Sequence, residues 1–308
     1  MAAWSSRNRQ RVVQLIGTIL AIVLIFLLLR EDGWTAVVNA MKQIDAIDLF
    51  WVTLLFLVSR IAVVCRWHVL LRSGGVDISF KDSAMLTFTG LFASNFLPTT
   101  IGGDVLRLAG AMKMGYDRAV CLASIVADRL IGMFGMSMAA PLGLMYAWNA
   151  LPSDPLGMSF VGLIQRPLAF IRRTLSAFSI WFKKPVPLLL SLAFTWVHMF
   201  CLFWSIYIFL EDLSSPVSFS MIAGLWSLTY FITQIPISIN GYGLQELSFT
   251  FLFSSVAGVP PAASLTVSIL IRAYLVIASL PGAFFLPSAL AAMTENQGST
   301  TDAVLQKR

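Results

Sequence analysis

Charged residues are scarce in this chain. Asp, Glu, Lys and Arg make up 12% of its 308 residues, while apolar residues make up 58%. An average soluble domain carries about 25% charged residues. A chain of this length could otherwise form one or two globular domains, but the deficit of charge excludes an ordinary soluble protein.

The chain also has few residues that bind metals or act as nucleophiles. Its three cysteines lie inside apolar segments, and neither they nor the two histidines have the spacing of a metal site. No nucleophile–base pair and no phosphate-binding loop is visible in the sequence. We therefore expect no metal, no cofactor and no enzymatic activity.

Negative charge is the rarer sign, and the formal net charge is +6. Nucleic-acid-binding proteins cluster Lys and Arg on a soluble face, whereas the basic residues here flank apolar runs. The charge therefore predicts no nucleic-acid partner, and it bears instead on orientation in a membrane.

Five long apolar runs are present. A membrane-spanning helix needs about 20 predominantly apolar residues, and each run reaches or nearly reaches this length. The runs are residues 12–29, 49–71, 119–148, 186–210 and 262–286. The first is long for a signal peptide and no cleavage site follows it, so we expect it to remain as a span. The sequence thus predicts an all-α, polytopic integral membrane bundle, with a single transmembrane domain at 1–286 and a polar cytoplasmic tail at 287–308.

Basic residues indicate which loops are cytoplasmic. The N-terminal segment is basic, and the loop at 30–48 holds four acidic but two basic residues, so the first span should run outward. The second span then returns and ends at Arg66 and Arg72, which we interpret as cytoplasmic flanks. Five basic residues within 149–187 require a further crossing near 155–171. We expect a multi-pass protein of the cell membrane (the inner membrane) with both termini in the cytoplasm.

The stretch 95-NFLPTTIGGDVLR-107 interrupts the apolar pattern. The apolar segment before it, residues 84–97, is too short to cross an average bilayer, and Pro98 ends it. Both flanks are basic, with Arg72 and Lys81 before the segment and Arg107, Lys113 and Arg118 after it. Two basic flanks on the same side predict a re-entrant hairpin that enters and leaves from the cytoplasm. A single broken span remains the alternative.

A second copy of this motif lies in the C-terminal half. The first copy is 98-PTTIGGD-104 and the second is 236-PISINGYG-243. In both halves an arginine within an apolar helix follows a glycine by 14 residues: Arg129 follows Gly115, and Arg272 follows Gly258. On the orientation above the two copies enter the membrane from opposite sides, so we predict an inverted repeat.

The repeat units cover about 49–150 and 186–286. Matching broken helices in two inverted halves are typical of a transport site, and helix N-termini bind anions. Arg60 also lies in mid-span. We predict a substrate-binding site built from the two motifs and the intramembrane charges. Its candidate residues are Gly102, Gly103, Asp104, Arg107, Asp128, Arg129, Asn240, Gly241, Gly243, Glu246 and Arg272.

These residue types also have structural interpretations. The glycines could serve only tight turns or helix contacts. A charge at the centre of a membrane helix costs about 2.5–3.5 kcal/mol, which a buried ion pair could offset without a ligand. Arg129 could pair with Asp104 or Glu246, while Asp128 points about 100° away from it. Arg107 could reach the cytoplasmic interface instead of a cavity.

Three segments carry a resemblance to a known family. The stretch NFLPTTIGGDVLR, the later SIVADRLIGM and the block PISINGYGLQE resemble the flippase-like, lysylphosphatidylglycerol synthase transmembrane family. That family includes the membrane half of the bacterial multiple peptide resistance factor. The resemblance covers roughly residues 12–286. It places the candidate residues, together with Pro98 and Pro236, on the family's patterned positions.

The resemblance implies a function in moving lipid. In bifunctional members a cytoplasmic synthase domain makes an aminoacyl lipid, and its translocation is assigned to the membrane half. The synthase domain is absent from these 308 residues, so we do not expect aminoacyl transfer. Other relatives occur beside glycosyltransferases that use polyprenyl carriers. We expect a flippase whose partner is a membrane lipid, either anionic or polyprenyl-phosphate-linked.

Two alternatives to a flippase stay open. One is an ion- or proton-coupled transporter of a small soluble anion, with Asp104, Asp128 or Glu246 carrying the proton. The other is a membrane enzyme that acts on lipid phosphates.

Overall fold

The structure, a computed structural model, describes residues 33–95, 97, 102–150, 185–235 and 238–285. The predicted first span, the predicted crossing near 155–171, the two motif prolines and the predicted tail lie outside these residues. Every regular element in the described ranges is helical, which confirms the all-α prediction. The helices are α1 Gly33–Gln43, α2 Ala46–Ser73, α3 Phe80–Ser94, α4 Gly102–Lys113, α5 Arg118–Ala150, α6 Pro185–Asp212, α7 Phe219–Thr233, α8 Leu244–Ala257 and α9 Pro261–Ile277, with 3-10 turns at Ile239–Gly241 and Leu280–Phe284.

Four segments of the described chain are long and apolar enough to cross a membrane, which confirms a polytopic membrane protein. They are Ala46–Ser73, Arg118–Trp148, Pro185–Asp212 and Pro261–Phe284. The last segment differs from the single helix predicted at 262–286, because α9 ends at Ile277 and a 3-10 turn follows. Pro281 lies in that turn, and a proline ring clashes with the carbonyl four residues before it in an α-helix.

The 30–48 segment, interpreted from the sequence as a loop, contains α1. Val37 and Ala40 of α1 are buried, and their spacing of three places them on one helix face. Val37 packs against Leu265 of α9. Asp45 then caps α2, because its carboxylate accepts a hydrogen bond from the backbone N–H of Ile47. The apolar residues of this segment have helical spacing but do not form a long apolar run.

Four short helices lie between the long ones. Helices α3, α4, α7 and α8 have 15, 12, 15 and 14 residues, each below the roughly 20 residues of a spanning helix. The order long, short, short, long therefore occurs twice, as α2 to α5 and as α6 to α9, where the last long segment is α9 together with the 3-10 turn that extends it to Phe284. The two broken motifs lie at the same place in this order, between the two short helices of each set.

Close helix contacts hold the two sets together. Gly143 of α5 and Gly224 of α7 face each other so closely that a Cβ atom on either would lie 2.3 Å from a backbone atom of the other. Small residues at such crossings let helix backbones approach within a membrane protein. In α8, the rings of Phe249 and Phe253 stack at 3.9 Å within the main apolar cluster, which also includes α7 residues. The short helices are therefore packed inside the bundle.

Candidate functional site

Asp128 lies between two arginines in the first set of helices. Its Oδ1 accepts a hydrogen bond from Arg66 Nε at 2.6 Å, and its Oδ2 accepts one from Arg107 Nη1 at 3.2 Å. All three side chains are buried. Since the residues come from α5, α2 and α4, this ion-pair group ties the first hairpin to two long helices.

Asp104 extends this group by one further arginine. Its Oδ1 accepts a hydrogen bond from Arg107 Nη1 at 3.2 Å, and its Oδ2 accepts one from Arg129 Nε. The sequence left Arg129 with either Asp104 or Glu246 as its partner, and the structure pairs it with Asp104. Four of the predicted site residues therefore meet in one continuous chain of ion pairs.

Two arginines interpreted from the sequence as cytoplasmic flanks are instead inside the protein. Arg66 is buried against Asp128, and Arg107 places its guanidinium 4.0 Å from the centroid of the Trp67 ring. A cation over an indole face is stabilised by the ring quadrupole. Both arginines lie within helices that turn them toward Asp128, so Arg66 does not project from a loop and Arg107 joins the buried ion-pair group that the sequence allowed for it.

The second set of helices repeats this arrangement with Glu246 and Arg272. Arg272 Nε donates to Glu246 Oε1 at 2.8 Å, while Glu246 Oε2 accepts from the backbone N–H of Gly243 at 2.7 Å. Arg272 also donates to the carbonyl oxygens of Asn240 at 3.2 Å and Gly241 at 3.0 Å. All five predicted residues of this half therefore meet, and Arg272 fastens the turn before α8.

Backbone conformation explains the residue types of this turn. Asn240, Gly241 and Gly243 have φ angles of 47°, 71° and 75°. Left-handed conformations are unfavourable for most side chains and are favoured by glycine and asparagine. The structural interpretation of these glycines as turn residues therefore accounts for them without a ligand.

Gly103 is a glycine for a different reason, which is a close contact between two helices. A Cβ atom at this position would lie 2.1 Å from Ser94 Oγ and 2.2 Å from the carbonyl oxygen of Gly90, so α3 and α4 touch here. At Gly102 the three atoms nearest to such a Cβ atom would all belong to the side chain of Leu97, the closest at 2.6 Å. The close contact between α3 and α4 explains the glycine at position 103.

The ends of the two hairpins meet in the middle of the bundle. Asn95, which follows α3, donates to Ser279 Oγ at 2.9 Å, and Asn240 donates to Asn95 Oδ1 at 3.5 Å. A cavity of about 210 Å³ lies at this junction. Its polar lining includes these three residues, Gln234 and Arg272.

Two further residues line this cavity and were not in the predicted site. Arg60 is at the centre of the 28-residue helix α2, and Gln245 lies in the first turn of α8. Both side chains are buried. An intramembrane charge is by default a functional candidate, so the mid-span position of Arg60 was a usable signal. Gln245 had no such signal, because glutamine carries no charge and sits outside the motif.

A larger cavity lies elsewhere and contains none of the predicted site residues. It has a volume of about 440 Å³ and is lined by α2 and α6 residues that include Asp48, Trp51 and Trp204. The smaller cavity is the one lined by the ends of both hairpins, through Asn95 of the first and Asn240 of the second. In the described part of the chain no cluster of His, Cys, Asp and Glu has the composition of a metal site.

Comparisons with known proteins find no matching curated protein and no matching solved structure. A protein-family model does match, and it extends over both sets of helices and both motifs. The model describes the lysylphosphatidylglycerol synthase TM region and matches residues 14–282, and the chain therefore belongs to this family.

Proposed function

We propose that this protein is a lipid flippase that moves an anionic lipid or lipid-linked headgroup between the leaflets of the cell membrane. The observation that carries the proposal is a set of eight charged side chains, here called the polar centre, of which seven form two ion-paired groups and the eighth lines the 210 Å³ cavity. It consists of Arg60, Arg66, Arg107, Arg129, Arg272, Asp104, Asp128 and Glu246.

The polar centre has more positive than negative charge. Five arginines face three carboxylates, which leaves an excess of two positive charges. Each buried charge in a membrane helix is costly, by about 2.5–3.5 kcal/mol at the helix centre. An anionic group that enters the polar centre offsets this excess, and a phosphate is the anion that every phospholipid brings to the membrane.

The arrangement of the short helices supports transport. Both broken motifs lie between short helices, and their ends meet beside the 210 Å³ cavity. We propose that the two sets are inverted repeats, that their hairpins are re-entrant, and that both termini are cytoplasmic. In transporters of this kind the site lies near the midplane, and one repeat rocks against the other to open it alternately to each side.

The proposed activity is transport without covalent change of the lipid. Our test uses vesicles that contain the purified protein and phosphatidylglycerol with a fluorescent acyl chain. Dithionite added outside destroys fluorescence only in the outer leaflet. We expect lipids of the inner leaflet to be bleached as well in vesicles with the protein, because the protein moves them to the outer leaflet, and to stay fluorescent in empty vesicles. Chromatography should recover the lipid with its headgroup and acyl chains intact.

The same vesicles separate the alternatives. If the inner-leaflet lipid keeps its fluorescence and the vesicles take up radiolabelled phosphate, the protein is a transporter of a soluble anion and not a flippase. A shortened or dephosphorylated lipid would replace it by an enzyme. Equal bleaching with and without the protein, with neither uptake nor lipid cleavage, would contradict all three functions.

A further inference from the structure

Arg60 differs from the other arginines of the polar centre. Arg66, Arg107, Arg129 and Arg272 each form an ion pair with a carboxylate. Arg60 is 5% exposed, and its Nε and Nη2 atoms have no hydrogen-bond partner among the described residues. Burying an arginine without a partner is expensive, so such a group is retained where a ligand supplies the missing partner.

Gln245 presents a third unpartnered donor at the same cavity. It is 6% exposed, and its Nε2 atom has no hydrogen-bond partner in the described part of the protein. Arg60 and Gln245 come from α2 and α8, yet both line the 210 Å³ cavity. Residues with unpartnered donors from two different helices therefore line a single space.

The remainder of the lining determines which ligand fits. The described lining residues include serine, threonine, asparagine and glutamine side chains but no Asp or Glu. A cationic headgroup would find no carboxylate to pair with, whereas an acceptor-rich anion would find donors on several sides. A phosphodiester carries one negative charge and several acceptor oxygens, and guanidinium groups bind phosphate oxygens with matching geometry.

We propose that Arg60 and Gln245 form a binding subsite for the phosphodiester of a lipid whose headgroup carries no ammonium group. The subsite rests on the proposed function, since it names the chemical class of the lipid that the flippase binds. Arg60 of α2 supplies the charge and two donors, and Gln245 supplies a neutral donor from α8 in the second set of helices. The ion-paired arginines hold the hairpins in place around the subsite.

A ligand subsite and a structural residue differ in their effect on stability. With no ligand bound, the charge of Arg60 has no described partner, so Arg60→Met should raise the melting temperature of the lipid-free protein. Gln245→Glu should also raise it, because a carboxylate of nearly the same size would pair with Arg60. Both variants should lose ligand binding, the first by loss of donors and the second by repulsion of the phosphate.

The experiment measures the melting temperature of the full chain in detergent with increasing dihexanoyl phosphatidylglycerol, dihexanoyl phosphatidylcholine or inorganic phosphate. The phosphatidylglycerol analogue should raise the melting temperature of the unsubstituted protein more than the phosphatidylcholine analogue. In Arg60→Met and Gln245→Glu its apparent Kd should rise at least about tenfold, which corresponds to the loss of a hydrogen bond to a charged group. Arg72→Met and Gln43→Glu make the same chemical changes at exposed positions and should bind normally.

Inorganic phosphate, the third ligand, shows whether the subsite binds a lipid headgroup or a soluble anion. Stabilisation by the lipid alone assigns the subsite to a headgroup, and stabilisation by inorganic phosphate as well assigns it to a soluble anion of the same chemistry. Unchanged lipid binding in both variants overturns the subsite. Failure of Arg60→Met to fold also overturns it, since Arg60 would then have a structural partner.

The vesicle assay separates this inference from the proposed function. Lipid movement that persists in Arg60→Met and Gln245→Glu would leave the flippase intact and remove the subsite. Binding that depends on Arg60 and Gln245, without lipid movement in the unsubstituted protein, would leave the subsite and remove the flippase.

Discussion

Arg272 holds Glu246 at 2.8 Å, and Arg129 holds Asp104 at the corresponding place in the other set of helices. Each carboxylate lies in the first turn of the helix after a broken motif, and each arginine lies on the long helix that follows. The two ion pairs thus tie each hairpin to its neighbouring span. Arg129 and Arg272 therefore stabilise the packing of each hairpin against the helix that follows it.

Removal of Arg272 should destabilise the protein strongly. Arg272→Ala leaves the buried carboxylate of Glu246 unpaired, and breaking a buried ion pair in this way costs about 3–5 kcal/mol. Replacing both residues by methionine should restore much of this loss, because no unpaired charge remains. Chemical or thermal unfolding in detergent measures both variants.

An exposed ion pair provides the control for Arg272. The side chains of Arg72 and Asp77 are 58% and 96% exposed, and such a pair contributes about 0–1 kcal/mol. Arg72→Ala should therefore unfold almost as the unsubstituted protein does. Similar losses of unfolding free energy for Arg72→Ala and Arg272→Ala would show that the Arg272–Glu246 pair contributes no more to stability than an exposed pair.

Arg66 and Asp128 should be energetically coupled. Their atoms are 2.6 Å apart in a buried environment, and contacting residues in one ion-pair network show interaction energies of about 0.5–3 kcal/mol. A double-mutant cycle with Arg66→Met and Asp128→Asn should fall in the upper part of this range. The same cycle on Arg72 and Asp77 should give a value near zero, and equal coupling in the two cycles would contradict the network.

Many residues of these ion pairs could be predicted from the sequence because their signals were local. Glycines, prolines and charges within apolar segments drew the prediction to Asp104, Arg129 and Glu246. The spacing of 14 residues from a glycine predicted that Arg129 and Arg272 occupy matching positions. Pairing of Arg129 with Asp104 was one of two options, and only the packing of α4 against α5 selects it.

Other parts of the site depend on contacts that no local pattern contains. Arg66 ends an apolar run, so by sequence it resembles a cytoplasmic flank. Only the approach of α5, which brings Asp128 to 2.6 Å, makes it a buried residue. The unpartnered state of Arg60 is also a property of the assembled bundle, since it requires that no carboxylate come near from α3 to α9.

The proposed inverted arrangement of the two sets predicts which loops react on each side of the membrane. Single cysteines would be introduced into a protein whose Cys65, Cys121 and Cys201 are replaced by serine. Cysteines at Lys113 and Arg118 should react with a membrane-impermeant reagent only from the cytoplasm, as the basic flanks require.

Cysteines at Glu211 and Pro260, which lie in the stretch without Lys or Arg, should react only from the outside. All four positions are exposed in the structure, so burial does not prevent their labelling. Labelling of Lys113→Cys and Pro260→Cys from the same side would show that the two sets are not inverted.

Gly103 and Gly102 should respond differently to the addition of one methyl group. Gly103→Ala places a Cβ atom 2.2 Å from the carbonyl oxygen of Gly90, which forces α3 and α4 apart, and overpacking of this kind costs about 1–3 kcal/mol. Gly102→Ala meets only the Leu97 side chain among its nearest neighbours, and that side chain can move. Melting in detergent should therefore show a large loss of stability for Gly103→Ala and a small one for Gly102→Ala.

In vesicles, a stable Gly102→Ala that no longer moves lipid would indicate that the backbone of residue 102 approaches the headgroup. Equal melting of the two variants would contradict the close contact between α3 and α4.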